Sequence, residues 1–227
     1  MNFCSRLRRS LLLFPAALLF IGAAGGFYFQ DTFDDNDISD WDVNWAVAAD
    51  SPLWLIQPPY HQPAVESGIV TGLTPNTGGN SYPLACMSKR LDIDASDYLR
   101  IEIRTKTRDS QRGMVHLVFF SDFSDDYDGY YFHWDPHTYV TAPRVRLYKV
   151  VDRDKEIVGS YDFWNVPNWN TYLFERDGAG NWTMHINGDL IHPAFFQQDD
   201  SFNNFSHVGL MVDGADAAVD WIRIRAR

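Results

Sequence analysis

The segment YLRIEIRTKT, residues 98–107, constrains the fold more than any other. Leu99, Ile101 and Ile103 alternate with Arg100, Glu102, Arg104 and Lys106. A period of two places the apolar set on one face of a strand and the charged set on the other, so this strand covers a core on one side only. The same grammar recurs along the chain. YYFHW, RVRLYKVV, NTYLFERD, NWTMHING, HVGLMVD and AVDWIRIRAR are short runs rich in Val, Ile, Tyr, Phe and Trp, divided by Gly, Pro, Asn and Asp. MVHLVFFS (114–121) is apolar on both faces, as a central strand is. Few windows carry a helical period. Asn187-Gly188-Asp189 is a two-residue hairpin signal, because Asn and Gly tolerate positive φ, and DGAGN (177–181) and DRDK (152–155) fit slightly longer hairpin loops. Many short antiparallel strands with regular turns predict an all-β, two-sheet sandwich.

Residues 1–24 read as a secretory signal peptide. Arg6, Arg8 and Arg9 precede the 11-residue apolar run LLLFPAALLFI and the small residues GAAGG. Cleavage is expected near Ala24, with an uncleaved signal anchor as the alternative and the only membrane attachment implied. Residues 25–227 then form a single domain that is secreted or periplasmic. Its one cysteine, Cys86, excludes an intrachain disulfide. The whole chain has 19 basic and 30 acidic residues, and setting aside the three leader arginines leaves 16 basic. Such a surface argues against nucleic acid or an anionic membrane as partner. The acid is almost all Asp, 26 against four Glu. Asp favours turns and calcium, Glu favours helices, and the bias agrees with a loop-rich β protein.

Four stretches, in order, carry a resemblance. DTFDDNDISDWDV resembles the opening strand and Trp-closed turn of the concanavalin A-like (laminin G-like) lectin and glucanase jelly rolls. VHLVFFSDFSDDYDGYYFHWDP, followed by RVRLYKVVDRDKEIV, is similar to that superfamily's strand, polar tip and following strands. WNTYLFERDGAGNWTMHINGDLI resembles its Asn-Gly hairpin, and HVGLMVDGADAAVDWIRI its last two strands. The resemblance implies a jelly roll over residues 27–227 and places Trp41, Trp182 and Trp221 at packing positions. The fold hosts lectins, carbohydrate-binding modules, glycosidases, lyases and adhesion domains, so it says less about activity.

The residues themselves narrow the chemistry. A glycosidase needs two carboxylates flanking a sugar. The E-x-D-x-x-E strand of the jelly-roll glucanases is absent, and Glu102 and Glu175 are the only Glu inside expected strands, each within two residues of an Arg with which it can pair. Arg100-Ile101-Glu102-Ile103-Arg104 is similar to the R-x-E-x-R strand of alginate-lyase-like jelly rolls. If the protein is an enzyme acting on an acidic polysaccharide through the concave sheet face, Arg100, Glu102, Arg104 and His116 are its candidate catalytic residues. His133, Asp135 and His137 stand at i, i+2, i+4 and could meet a transition metal, although Pro136 ends the strand there. Ser124 to Asp135 imitates a calcium loop but has Ser first and Asp last, so it fails that motif. A structural calcium is placed instead where the resemblance joins the chain ends, at Asp31 or Asp34 with Asp220. Sugar binding needs aromatic faces and planar polar groups. Trp54, Tyr60, Trp134 and Tyr139 are loop or strand-end candidates. His133, Arg100, Arg104, Arg144 and Arg146 supply polar groups, and the four arginines form a basic stripe if their strands are neighbours. The leading expectation is a lectin-like domain that binds an extracellular glycan without its own catalysis; the alternatives are a polysaccharide lyase or glycosidase, and a structural or adhesion domain of the envelope.

Overall fold

The computed structural model describes residues 26–42, 64–71, 84–106, 115–121, 128–135, 144–152, 154–162, 169–191, 196–213 and 217–227. The described strands are β1 (Phe27–Asp31), β2 (Ala64–Glu66), β3 (Ile69–Thr71), β4 (Leu84–Asp94), β5 (Tyr98–Lys106), β6 (Val115–Phe120), β7 (Gly129–Asp135), β8 (Arg144–Val151), β9 (Asp154–Asp162), β10 (Asn170–Asp177), β11 (Trp182–Ile186), β12 (Asp189–Ile191), β13 (Asn204–Asp213) and β14 (Ala218–Ala226). They form two antiparallel sheets. An eight-stranded sheet runs β12-β11-β10-β5-β14-β3-β2, with β1 also on β14; a six-stranded sheet runs β4-β13-β6-β7-β8-β9. Pairing of the first strand with the last, Phe27 opposite Ala226 through Asp31 opposite Ile222, closes the roll. The architecture is the expected two-sheet jelly roll.

Alternation explains which side of each strand meets the core. In β5, Leu99, Ile101 and Ile103 are fully buried while Arg100, Glu102 and Arg104 point outward. Across the gap β7 contributes Tyr130, Phe132 and Trp134, and rings of the two sheets interlock: Phe132 lies 4.6 Å from Phe174 and Trp134 5.5 Å from Tyr172. Edge-on and tilted aromatic contacts of this kind add to the burial itself. β6 is buried at every position, as its two-sided apolar sequence predicts.

The turns follow their residues. Asn187 and Gly188 take φ of 53° and 94°, closing β11 on β12 in two residues. The 152–155 connection is tighter than the expected longer loop: Val151 stands directly opposite Asp154, with Asp152 at φ 48° absorbing the reversal. One end of the sandwich is strapped by residues 196–203. Phe196 lies on Gly159, where a Cβ would come within 2.1 Å of its ring, so the contact requires glycine. Gln197 N–H donates to Val158 O, Asp199 N–H to Gly180 O and Ala95 N–H to Asn203 O. The backbone of this strap thus finds partners on β9, the β10–β11 turn and the β4–β5 turn.

Candidate functional site

Two outward surfaces carry the candidate residues, one on each sheet. On the eight-stranded sheet, register sets Arg100 of β5 between Glu175 of β10 and Arg225 of β14, and Glu102 between Leu173 and Arg223. Arg100 is the hub. Its Nε donates to Glu102 Oε1 at 2.9 Å and its Nη1 to Glu175 Oε1 at 3.1 Å. Tyr98 OH donates to the same Glu175 oxygen at 2.5 Å, and Arg223 Nη1 is 3.7 Å from Glu102 Oε2. His185 Nε2 lies 4.0 Å from Glu175 Oε2. Burial acts to lower the Arg100 pKa, but the bonds to Glu102 and its neighbours outweigh it, and the net shift is upward. Burial, then the bond to Glu175, push the Tyr98 hydroxyl up. Arg104 Nη1 meets Asp220 Oδ2 at 2.7 Å.

Aromatic rings interleave with these cations. Arg223 lies 4.3 Å from the Trp221 ring centre, Arg225 5.4 Å from Tyr28, Arg227 5.4 Å from Tyr98 and Arg104 5.6 Å from Trp169. A guanidinium near a ring face is drawn to it electrostatically.

The outward face of the six-stranded sheet is different. One row across it reads Met211, His116, His133, Arg146, Ser160; the next reads Gly209, Val118, Tyr131, Tyr148, Ile157. Val118, Phe120, Tyr131, Val150 and Met211 are buried there, outside the main core cluster. The His116 and His133 rings stack at 4.2 Å and 20°. His116 is 2% exposed, and its Nε2 has no hydrogen-bond partner among the described residues. Burial, with the nearby His133 and Lys155, holds its pKa well below the ordinary value, so it is neutral at physiological pH. Arg146 Nη1 donates to Tyr148 OH at 2.9 Å, and Lys155 Nζ lies 4.0 Å above the Tyr148 ring. Arg144 Nε is 3.5 Å from Asp162 Oδ1.

Several expectations are corrected by this placement. Arg100, Glu102 and Arg104 share one face, but His116 stands on the other sheet facing away from them, so the four do not form one catalytic set. The expected stripe of Arg100, Arg104, Arg144 and Arg146 is divided in the same way. Trp134 is fully buried against Tyr172 and Phe174 and is not a ligand surface: its place in the alternation points it inward. Trp221, expected to pack, is instead outward beneath Arg223. The calcium carboxylates do not converge. Asp31 accepts from Trp41 Nε1 at 2.8 Å and from Phe33 N at 2.9 Å on the inner side of β1. Burial raises its pKa. Asp220 faces outward to Arg104. Asp34 lies under the β2–β3 turn, its Oδ1 3.1 Å from where a Cβ on Gly68 would sit. Among the described residues no group of three or more His, Cys, Asp or Glu could hold a metal ion. Trp54, Tyr60, Tyr139 and His137 lie outside the described residues, as do residues 1–24.

One polar cluster is not apparent from the sequence. Arg176 is fully buried at the strapped end, donating through Nη2 to Ala95 O at 2.7 Å and Asn203 Oδ1 at 2.9 Å, and through Nη1 to Phe202 O. Beside it Tyr130 OH donates to Asp199, whose other oxygen accepts from Lys149 at 2.7 Å. Burial would raise the Asp199 pKa, but the bonds from Lys149 and Tyr130 bring it below the ordinary value. Arg176 sits at an inward position of the β10 alternation, which was the one available signal. These groups hold the strap and close off that end.

No family model matches the chain, and no curated protein sequence matches it. Solved structures do match. The CBM2 module of the evolved Dit of Lactobacillus casei BL23 phage J-1 superposes with a TM-score of 0.59 at 9% identity, covering 87% of this chain and 94% of that one. The potassium-bound carbohydrate recognition domain of Emp46p gives 0.54 at 12% identity over 71% of this chain and 84% of that one. A prokaryotic β-1,3-1,4-glucanase derived from a mouse hindgut metagenome gives 0.54 at 12%, over 87% and 98%. Strand order, the closure of β1 on β14 and these superpositions agree: the chain has the concanavalin A-like jelly-roll fold.

Proposed function

We propose that this protein is a glycan-binding, lectin-like domain without catalysis of its own. The observation that carries the reading is the Arg100 hub. Glu102 and Glu175, the two Glu gathered on the outward face around Arg100, both spend an oxygen on its guanidinium, and His116 is on the opposite side of the sandwich. What remains outward on the eight-stranded sheet is a set of planar polar groups and aromatic rings, the equipment of sugar recognition without bond breaking. Similarity in fold to a carbohydrate recognition domain and to a CBM2 module supports the same reading. The reading includes export through residues 1–24 to a secreted or periplasmic location, a glycan as partner, and no role for nucleic acid. A structural calcium is left out of it, because Asp31 and Asp220 are engaged on opposite faces of the sheet.

The test is a panel of neutral and acidic polysaccharides offered to the purified full-length protein, with binding and product release measured in parallel. Binding with no new reducing ends and no unsaturated uronate is the expected result. Product release would replace the reading with a hydrolase or lyase. Neither binding nor release would leave a structural or adhesion domain.

A further inference from the structure

We infer that the ligand is an acidic glycan, carrying carboxylate or sulfate groups, and that it lies along the arginine row of β14 and the end of β5 on the outward face of the eight-stranded sheet. This rests on the glycan-binding reading and adds the ligand class and the place.

The whole chain has a net charge of −11, yet the outward positions of these two strands and the chain end carry Arg100, Arg104, Lys106, Arg223, Arg225 and Arg227. Against them stand Glu102 and Asp220, with Glu175 reaching in from β10. The acids are not spread evenly over the cations. Arg100 takes Glu102 and Glu175, Arg104 takes Asp220, and Arg223 shares Glu102 at 3.7 Å. Arg225 and Arg227 are exposed and have no carboxylate within ion-pair distance among the described residues; each rests on a tyrosine ring at 5.4 Å. Arg225 is also directly opposite Arg100 in the ladder. Like charges at facing positions cost stability, so the fold gains nothing from this pairing. A ligand anion between or above them would remove that cost.

Geometry adds the shape of the partner. Alternate residues on one strand face are about 7 Å apart, so Arg223, Arg225 and Arg227 form a straight row about 14 Å long. Arg225 and Arg227, exposed and each near a tyrosine ring, have guanidinium donors suited to bidentate bonding to a carboxylate or sulfate. A polymer with about one charge per sugar can use such a row. A nucleic acid, far denser in charge, would meet the repulsion of the remaining acidic surface.

The experiment compares wild-type full-length protein, R225Q/R227Q, and R90Q on the other sheet, binding polygalacturonate, a sulfated galactan, a neutral β-glucan and single-stranded DNA at low and physiological salt. Arg225 and Arg227 have exposed side chains without ion pairs among the described residues, so the double variant is expected to fold, checked by its unfolding midpoint. Wild type should bind one or both acidic glycans, more weakly as salt rises. R225Q/R227Q should lose about tenfold or more in affinity for the acidic glycan, since hydrogen bonds to charged groups are each worth about a tenfold change. R90Q should bind as wild type. Preference for carboxylate or for sulfate identifies which anion the row takes. Binding to the neutral glucan alone, or acidic-glycan affinity unchanged in R225Q/R227Q, overturns this inference while leaving glycan binding intact. DNA binding as tight as that of the acidic glycans overturns it in favour of a general polyanion surface. No binding to any glycan overturns the glycan-binding reading itself.

Discussion

The two sheets turn unlike faces outward. The eight-stranded sheet presents Arg100, Glu102, Glu175, Arg223 and Arg225, half-buried or exposed and linked by ion pairs. The six-stranded sheet presents Val118, Phe120, Tyr131 and the stacked pair His116 and His133, all buried. The strands behind them differ in the same way, β5 alternating strictly and β6 apolar throughout. One face therefore meets solvent, and the other is buried. Candidate residues that look equivalent in a sequence, such as Arg104 and His116, lie on opposite surfaces of different exposure.

The largest effect expected from this contrast comes from truncating matched outward residues. Phe120 is fully buried, so Phe120→Ala should cost about 3–5 kcal/mol, as a core truncation does. Leu173, the outward neighbour of Glu102 on β10, is only partly buried, and Leu173→Ala should cost about 1 kcal/mol or less. Urea unfolding of both variants measures the difference. Equal costs would mean that the two outward faces are energetically alike and would remove the distinction.

A smaller effect separates the faces by pH. His116 is neutral in the folded protein, with its pKa well below 6.5, while in the unfolded chain it titrates normally. Between those values the unfolded state binds the extra proton, so stability rises with pH there. The contribution is fully retained above about pH 6.5 and is lost as pH falls below it, by up to about 1.4 kcal/mol per pH unit for one proton. His207, lowered by burial and by Arg90, adds in the same direction. Asp199 does not interfere: its lowered pKa keeps its contribution intact until pH falls below the ordinary carboxylate range, near 3.8. Unfolding free energy at pH 7.5 and pH 5.5 should therefore differ by about 1 kcal/mol or more, and His116→Phe, which keeps a ring against His133, should flatten the dependence. A slope unchanged by the substitution would place the titrating group elsewhere.

Much of the fold was legible because strand alternation is a local property. YLRIEIRTKT and MVHLVFFS told which strands have one buried face and which have two, and Asn187-Gly188 told where a hairpin closes. The site was legible only within a strand. Arg100, Glu102 and Arg104 lie on one face as their spacing requires, but spacing cannot tell which sheet a strand joins. Arg144 and Arg146 fell on the other sheet for that reason, and the true strand neighbours of Arg100 are Glu175 of β10 and Arg225 of β14, both distant in sequence. Trp134 misled because its neighbours in sequence are polar, while its parity matches that of Phe132 and Tyr130 in the core. The buried Arg176 answers to carbonyls on the strap, contacts that no local pattern announces.

The smallest expected effect concerns the Arg100 hub itself. Arg100→Gln removes the shared partner of Glu102 and Glu175 and leaves both carboxylates with weaker donors: Arg223 at 3.7 Å for one, Tyr98 and His185 for the other. It also removes the like-charge neighbour of Arg225. These terms oppose one another, and partly exposed ion pairs are worth about 1 kcal/mol or less, so the net loss of stability should be no more than that and should shrink in high salt. The informative reading is the comparison of stability at low and high salt between wild type and variant. If the loss is several kcal/mol and insensitive to salt, the hub acts as a buried polar core, and the outward face of the eight-stranded sheet is less open to ligands than its arginines suggest. If the loss is small and screened, the network is a solvated surface whose charges are free to reorganise around an incoming anion, as a binding face requires.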